Sequence, residues 1–292
     1  VTYFLITLVL FSSLEVASKP LMDVVAPLEL TFLRFLAGWL TLVVMLLPGR
    51  GRRELFSLTP RDWARLAFLG VLNVSVSMTL LQAAVMHTTA ATAAAVFCSN
   101  PLFVYLISVA WGDERANPRA ILGLAAGIGG LLLVTSSGGL RLDRGIVFAL
   151  LSSLSFAIYT ILSRHALRRM SPLCLNAGSF AFGIVAIGAF LLLTGRSISV
   201  PAGIAGDPGA LASLLYLGVC VSGVGYVTFM KTVECLSATR ASLVFMLKPA
   251  TATILAMLFL RESPGALFYP GAALVLAGSV LITGSGMRRR TA

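Results

Sequence analysis

Charge is what this sequence has least of. Asp, Glu, Lys and Arg make up only 11% of its 292 residues, against roughly 25% in soluble domains. That scarcity excludes an ordinary soluble enzyme. Histidine occurs twice, and the four cysteines (Cys98, Cys174, Cys220, Cys235) have neither metal-ligand nor redox spacing. The chain has no glycine-rich phosphate loop, no nucleophile triad and no low-complexity tract. These absences argue against a catalytic centre, an ATP-driven step, a bound metal or a cofactor.

What is present is apolar. Hydrophobic residues make up 58% of the chain, and the mean hydropathy is +0.95. A membrane-crossing helix needs roughly 20 such residues. Apolar runs between Gly, Pro and charge clusters predict ten helices, at 2–22, 28–47, 64–86, 92–111, 118–136, 145–164, 173–194, 211–230, 240–260 and 265–284. The expected fold class is an all-α integral membrane protein. Val1–Phe11 lacks a basic leader and runs on into Glu15 and Lys19, so it reads as the first span rather than a signal peptide.

A net charge of +11 would suggest nucleic-acid binding in a soluble protein. Here the arginines cluster in loops. With the N-terminus inside, the inner loops hold fifteen Lys and Arg and the outer loops five; only Arg34 and Lys248 lie within spans. That asymmetry places both termini in the cytoplasm. The expected partner is therefore the bilayer, not nucleic acid. Trp63 and Trp111 then fall at the inner interface.

The chain also repeats itself. Displaced by 148 residues, 64–114 lies over 212–262 without a gap, with thirteen of 51 positions identical, among them Gly70, Val71, Phe97, Pro101 and Glu114. The match continues through Gly123/Gly271 and Gly130/Gly278. The reading is two five-helix repeats, 1–138 and 139–292. Because five is odd, the second is inverted in the membrane. Inverted repeats with a midplane site where they meet are an architecture of secondary transporters.

Ten helices in two inverted halves, with Pro101…Glu114 and Pro249…Glu262 closing each fourth helix, resemble the drug/metabolite transporter superfamily, and within it the EamA type. Leu14-Glu15-Val16-Ala17 is similar to the first helix of the small multidrug resistance antiporters. That second likeness implies a membrane-embedded glutamate that exchanges protons for substrate. The EamA resemblance implies export of amino acids or other metabolites.

Charges near the bilayer centre cost at least about 2.5–3.5 kcal/mol each, so each needs a reason. Glu15, Arg34 and Lys248 sit at compatible depths in the first, second and ninth spans. Glu15 reads as a proton-coupling carboxylate, or as an ion-pair partner of Lys19 or Arg34. Arg34 reads as a planar clamp for a substrate carboxylate, or as the neutraliser of Glu15. Asn100-Pro101 and Lys248-Pro249 are equivalent by the repeat. A polar residue beside a proline reads as a cavity-lining irregularity, or else as a packing kink.

Ser152, Ser155, Tyr159 and Ser163 share one helical face, as do Ser12, Glu15, Lys19 and Asp23; the two stripes suggest facing walls of a central path. Tyr226 is a polar-tipped aromatic in the eighth span. His87 and His165 lie at helix ends, where solvated imidazoles are the rule. The expected activity is alternating-access export of a small anionic or zwitterionic metabolite, such as an amino acid, across a bacterial inner membrane. Proton coupling, and the alternatives of a lipophilic-cation exporter or a lipid-intermediate flippase, stay open, as does the oligomeric state.

Overall fold

The computed structural model describes residues 1–18, 21, 24–48, 50–87, 96–135, 144–196, 198–260 and 267–284, and all regular structure in them is helical. The principal helices are α1 (Thr2–Ser12), α2 (Pro27–Leu46), α3 (60–87), α4 (Asn100–Ala110), α5 (Pro118–Thr135), α6 (Arg144–Ala166), α7 (Pro172–Leu193), α8 (Pro208–Cys235), α9 (Ala238–Leu260) and α10 (Phe268–Gly284). Five of them, α2, α3, α6, α7 and α8, are long and apolar enough to cross a membrane by length and composition. Large aliphatic side chains such as Val44, Leu122, Val185, Leu193 and Val280 point outward, fully or mostly exposed. The bundle is apolar on its outside as well as its inside, as a lipid-facing surface requires.

Local chemistry sets where the helices begin. Pro27, Pro60, Pro172 and Pro208 each stand in a first turn, where a missing N–H costs nothing. Ahead of α3, Thr59 and Asp62 form a capping box: each backbone N–H donates to the other's side-chain oxygen. Asp207 accepts from Gly209 N–H at 2.8 Å to start α8. For α7 the cap comes from far away. Glu54, on the short helix Arg50–Phe56, accepts the Ser171 N–H and hydroxyl, tying the connection after α2 to the start of α7.

Helix breaks depart from the expected limits in two places. The first span is interrupted at Ser13, whose hydroxyl donates back to Leu10 O at 2.9 Å and also meets Tyr216 Oη at 2.7 Å. Such back-bonding competes with the helix. A second short helix, Leu14–Ser18, follows and carries Glu15. Val96 and Phe97 are helical, Cys98 and Ser99 form a turn, and a helix resumes at Asn100 with Pro101 in its first turn, so this proline lies just after a break. Its counterpart Pro249 lies inside the continuous α9. The two proline sites are alike in sequence and unlike in structure.

Both α3 and α8 contain a π-helical stretch, Val71–Ser77 and Tyr216–Gly225. Each is gripped by a neighbour through small residues. On α3, a Cβ at Gly70 would overlap the Ser179 carbonyl of α7, and one at Gly183 would lie 2.6 Å from Gly70 O. On α8, a Cβ at Gly38 of α2 would lie 3.0 Å from Gly218 O and 2.8 Å from Ser222 Cβ. The α5–α10 seam is the most extensive contact between helices. There Gly123 meets the backbone of Gly278, and Gly130 meets that of Gly271, each with 2.5–2.6 Å available to an added Cβ. These contacts are crossed. Each glycine touches the counterpart of its neighbour under the 148-residue displacement.

Candidate functional site

The centre of the bundle is aromatic. Phe11, Phe35, Phe97, Phe156, Tyr159, Phe180, Tyr226, Phe229 and Phe245 form one connected set of ring contacts, with centroids 4.9–5.9 Å apart. They come from α1, α2, α6, α7, α8, α9 and, for Phe97, the helical residues that precede the turn before α4. Edge-on and tilted pairs dominate, the arrangement in which ring edges meet ring faces.

Polar groups are set into this apolar mass. Arg34, buried on α2, has its guanidinium 4.9 Å from the centroid of Phe35 and Nη2 3.4 Å from Met78 Sδ. Met78 is the first residue after the π segment of α3. The hydroxyl of Tyr226 faces both the Arg34 guanidinium and the Asn73 amide. Asn73 lies inside the π segment, fully buried, and neither its Oδ1 nor its Nδ2 closes a hydrogen bond of standard geometry. Tyr159 lies close to Tyr226. Its hydroxyl reaches Asn176 Oδ1 of α7 at 3.4 Å, long for an O–H···O bond. Asn176 Nδ2 is buried without a partner, and the buried Ser163 hydroxyl faces Tyr159 without closing a hydrogen bond of standard geometry.

A buried polar atom left unpaired costs about 1–3 kcal/mol, and native interiors contain few of them. Four such atoms on three residues, Asn73, Asn176 and Ser163, lie around one arginine and two tyrosines. Chemically the set is rich in donors: a guanidinium fork, two amide NH2 groups and three hydroxyls. The aromatic walls offer an apolar lining for the rest of a guest.

The structure thus brings three of the expected residues together: Arg34, Tyr159 and Tyr226. Asn100 lies elsewhere, fully buried on the α4–α6 seam, donating from Nδ2 to Ser153 O at 2.8 Å with its Oδ1 unpaired. Lys248 is half-buried on α9, and its main-chain carbonyl accepts from Ser12 at 3.3 Å. Glu15 stands on the short helix after the Ser13 break; Lys19 and Asp23 lie outside the described residues. The two polar stripes are engaged by different helices. Ser12 bonds to α9, whereas Ser152 exchanges hydrogen bonds with Ser77 of α3. Ser155 drops out of its stripe and donates to Leu151 O. His165 is not merely solvated: it pairs with Asp113 at 2.9 Å and stacks on Trp111. Asn73, Met78 and Asn176 went unnoticed in the sequence reading. A lone amide in an apolar run is the signal that could have found the two asparagines.

A profile of the EamA-like transporter family matches residues 1–136 and again 143–284. The chain belongs to the EamA-like transporter family. A Clostridium kluyveri protein named "Uncharacterized transporter" is 32% identical over 96% of this chain and 91% of its own length. A Streptantibioticus cattleyicolor protein named "Probable terminal-alkyne amino-acid exporter" is 29% identical over 79% of this chain and 76% of its own. Among solved structures, one titled "Crystal structure of protein" superposes with a TM-score of 0.81 at 19% identity, covering 97% of this chain and 95% of that one. That likeness speaks to the fold alone. The EamA membership makes this a multi-pass membrane transporter.

Proposed function

We propose that this transporter exports a small metabolite bearing a carboxylate, of amino-acid type, across a bacterial inner membrane by alternating access. One observation carries the reading: a buried arginine among unsatisfied amides and tyrosine hydroxyls, enclosed by aromatic rings. Donors outnumber acceptors there, so an anionic head is the guest that satisfies most of them, with Arg34 supplying a planar fork. The printed name of the Streptantibioticus relative agrees in substrate class. Lys248 and Asn100 serve as further wall residues of the path, and Glu15, beside the break in the first span, is the proton carrier.

The reading includes ten spans in two inverted repeats with both termini cytoplasmic. Two matches to one family profile, on either side of residues 138/139, support the duplication. The crossed glycine contacts of α5 with α10, and the matched grips on α3 and α8, support it further, because contacts that exchange under the displacement are what a two-fold axis produces. The arginine distribution supports the sidedness. In a background lacking the native thiols, Leu55→Cys should label only from the cytoplasm and Gly203→Cys only from outside.

Counterflow in proteoliposomes tests the substrate class. Vesicles loaded in turn with each proteinogenic L-amino acid should accumulate the labelled compound for at least one of them. Arg34→Lys, which keeps the charge but loses the fork, should cut that flux about tenfold. Accumulation of lipophilic cations instead, unaffected by Arg34→Lys and abolished by Glu15→Gln, would replace this reading with a cation antiporter.

A further inference from the structure

A polar chamber lies apart from the aromatic centre, at one end of the bundle. It is a cavity of about 590 Å³ between the α4–α5 connection, the α8–α9 connection and the end of α10, with Tyr105, Asp113, Glu114, Arg115, Thr239 and Arg240 in its wall. Its volume falls within the roughly 300–1,000 Å³ of pockets that enclose small ligands. The arginine distribution puts this end in the cytoplasm.

The chamber is built, not a gap between loops. Tyr105, buried on α4, accepts the Asn117 N–H on its hydroxyl at 2.7 Å and holds the 113–117 segment against the bundle. Asp113 is already engaged by His165. Ser237 accepts the Arg240 N–H at 3.2 Å and fixes the start of α9. The walls then leave two kinds of group unsatisfied. The hydroxyl of Thr239, only 2% exposed, has no partner, and neither has the buried Oε1 of Glu114. Across the same space the guanidinium groups of Arg115 and Arg240 form no ion pair among the described residues. The α4–α5 connection therefore brings a carboxylate and a guanidinium to the chamber, and the start of α9 brings a hydroxyl and a guanidinium, with neither guanidinium paired to an anion among the described residues.

A carboxylate anion alone would leave Glu114 unsatisfied and opposed, and a cation alone would leave the arginines so. A small zwitterion satisfies both sets at once. Resting on the proposed function above, we infer that this chamber is a cytoplasmic loading site for an α-amino acid. The ammonium group lies on Glu114 and the Thr239 hydroxyl, and the carboxylate lies on Arg115 and Arg240. The solute thus binds at the mouth of the transporter before it reaches Arg34. The two sites differ in chemistry. The mouth recognises both charges, whereas the centre is donor-rich and aromatic and adds selection on the carboxylate and the side chain.

Equilibrium binding to the full-length protein in nanodiscs tests this. The probes are the proteinogenic L-amino acids, each compared with its methyl ester and its N-acetyl derivative. Arg34→Met and Asn73→Leu together remove the fork and the amide of the central site, so any binding retained by that double variant reports the mouth. That residual binding should require both charges, with neither the ester nor the N-acetyl compound competing. It should weaken about tenfold or more on adding Glu114→Gln, the loss expected for one charge-assisted hydrogen bond. Thr239→Val, which keeps the shape and removes the hydroxyl, should weaken it in the same direction and guards against a folding defect in the glutamine variant. Residual binding indifferent to both substitutions, or no residual binding by a protein that still transports an amino acid, overturns the loading site and leaves the proposed function standing. If no amino acid is bound or transported by the wild type, both fail together.

Discussion

The π-helical stretches of α3 and α8 are the same irregularity put to different uses. In α3 the stretch Val71–Ser77 contains no glycine and carries Asn73, Ser75 and Ser77. Its side chains work: Ser75 donates to Gly183 O at 3.1 Å and Ser77 to Ser152 O at 3.0 Å, while Asn73 faces Tyr226 at the centre without closing a hydrogen bond of standard geometry. In α8 the stretch Tyr216–Gly225 carries Gly218, Gly223 and Gly225 and no amide. Its backbone works instead, admitting α2 so closely that a Cβ on Gly218 would lie 3.3 Å from Arg34 O. Under the proposed function, one segment supplies a ligand group and the other lets the arginine-bearing helix come near it. Widened turns tend to mark functional places in helices, and here the two widened turns divide the labour.

The largest break in that comparison should come from filling the α3 grip. Gly70→Ala would drive a methyl into the α7 main chain at Ser179 and Gly183, with no flexible side chain to yield. We expect a loss of about 3 kcal/mol, read as a lower thermal unfolding midpoint and a poor yield of folded protein in detergent. Asn73→Leu separates ligand role from structural role. Removing a buried unpaired amide at similar volume should raise stability by about 1–2 kcal/mol while cutting transport tenfold or more. Equal losses of both would assign Asn73 to packing. Ser222→Ala is the matching test in α8. Its hydroxyl is buried and unpaired, so stability should rise by about 1 kcal/mol with flux unchanged. The smallest effect belongs to Gly129, a glycine of α5 with nothing within 4 Å of an added Cβ. Gly129→Ala should gain up to about 1 kcal/mol from helix propensity; a loss there would mean that a partner covers this face.

The helices were readable because hydropathy and proline placement act locally, and each leaves its mark within a few residues. Arg34, Tyr159 and Tyr226 were readable because a charge or a hydroxyl in a span demands a reason. The π segments were not. A shift from four-residue to five-residue hydrogen bonding changes neither composition nor apolar spacing, and Val71–Ser77 reads as ordinary helix. Asn73 and Asn176 were overlooked because their meaning depends on each other's neighbourhood across α3 and α7, which no spacing within one helix encodes. The break at Ser13 was hidden for a related reason. Its second partner, Tyr216, is 203 residues away. Pro101 and Pro249 show the limit from the other side, since two dipeptides equivalent by the repeat lie at the resumption of one helix and in the interior of another.

The glycine seams also govern how the protein can be made. Ser75 and Gly183, which meet on the α3–α7 seam, are 108 positions apart in the chain, and Gly123 of α5 must wait for Gly278 of the last described helix. A ribosome delivers the earlier member of each pair long before the later one. The nascent chain therefore sits in the bilayer with bare glycine faces and an unpaired Asn73, and nothing of its own to cover them. Biogenesis then has a late step: α10 closes a seam whose other side was inserted about half a chain earlier. Truncation before α10 should leave a species that inserts but is cleared by membrane proteases, and supplying the missing part as a separate polypeptide should protect it.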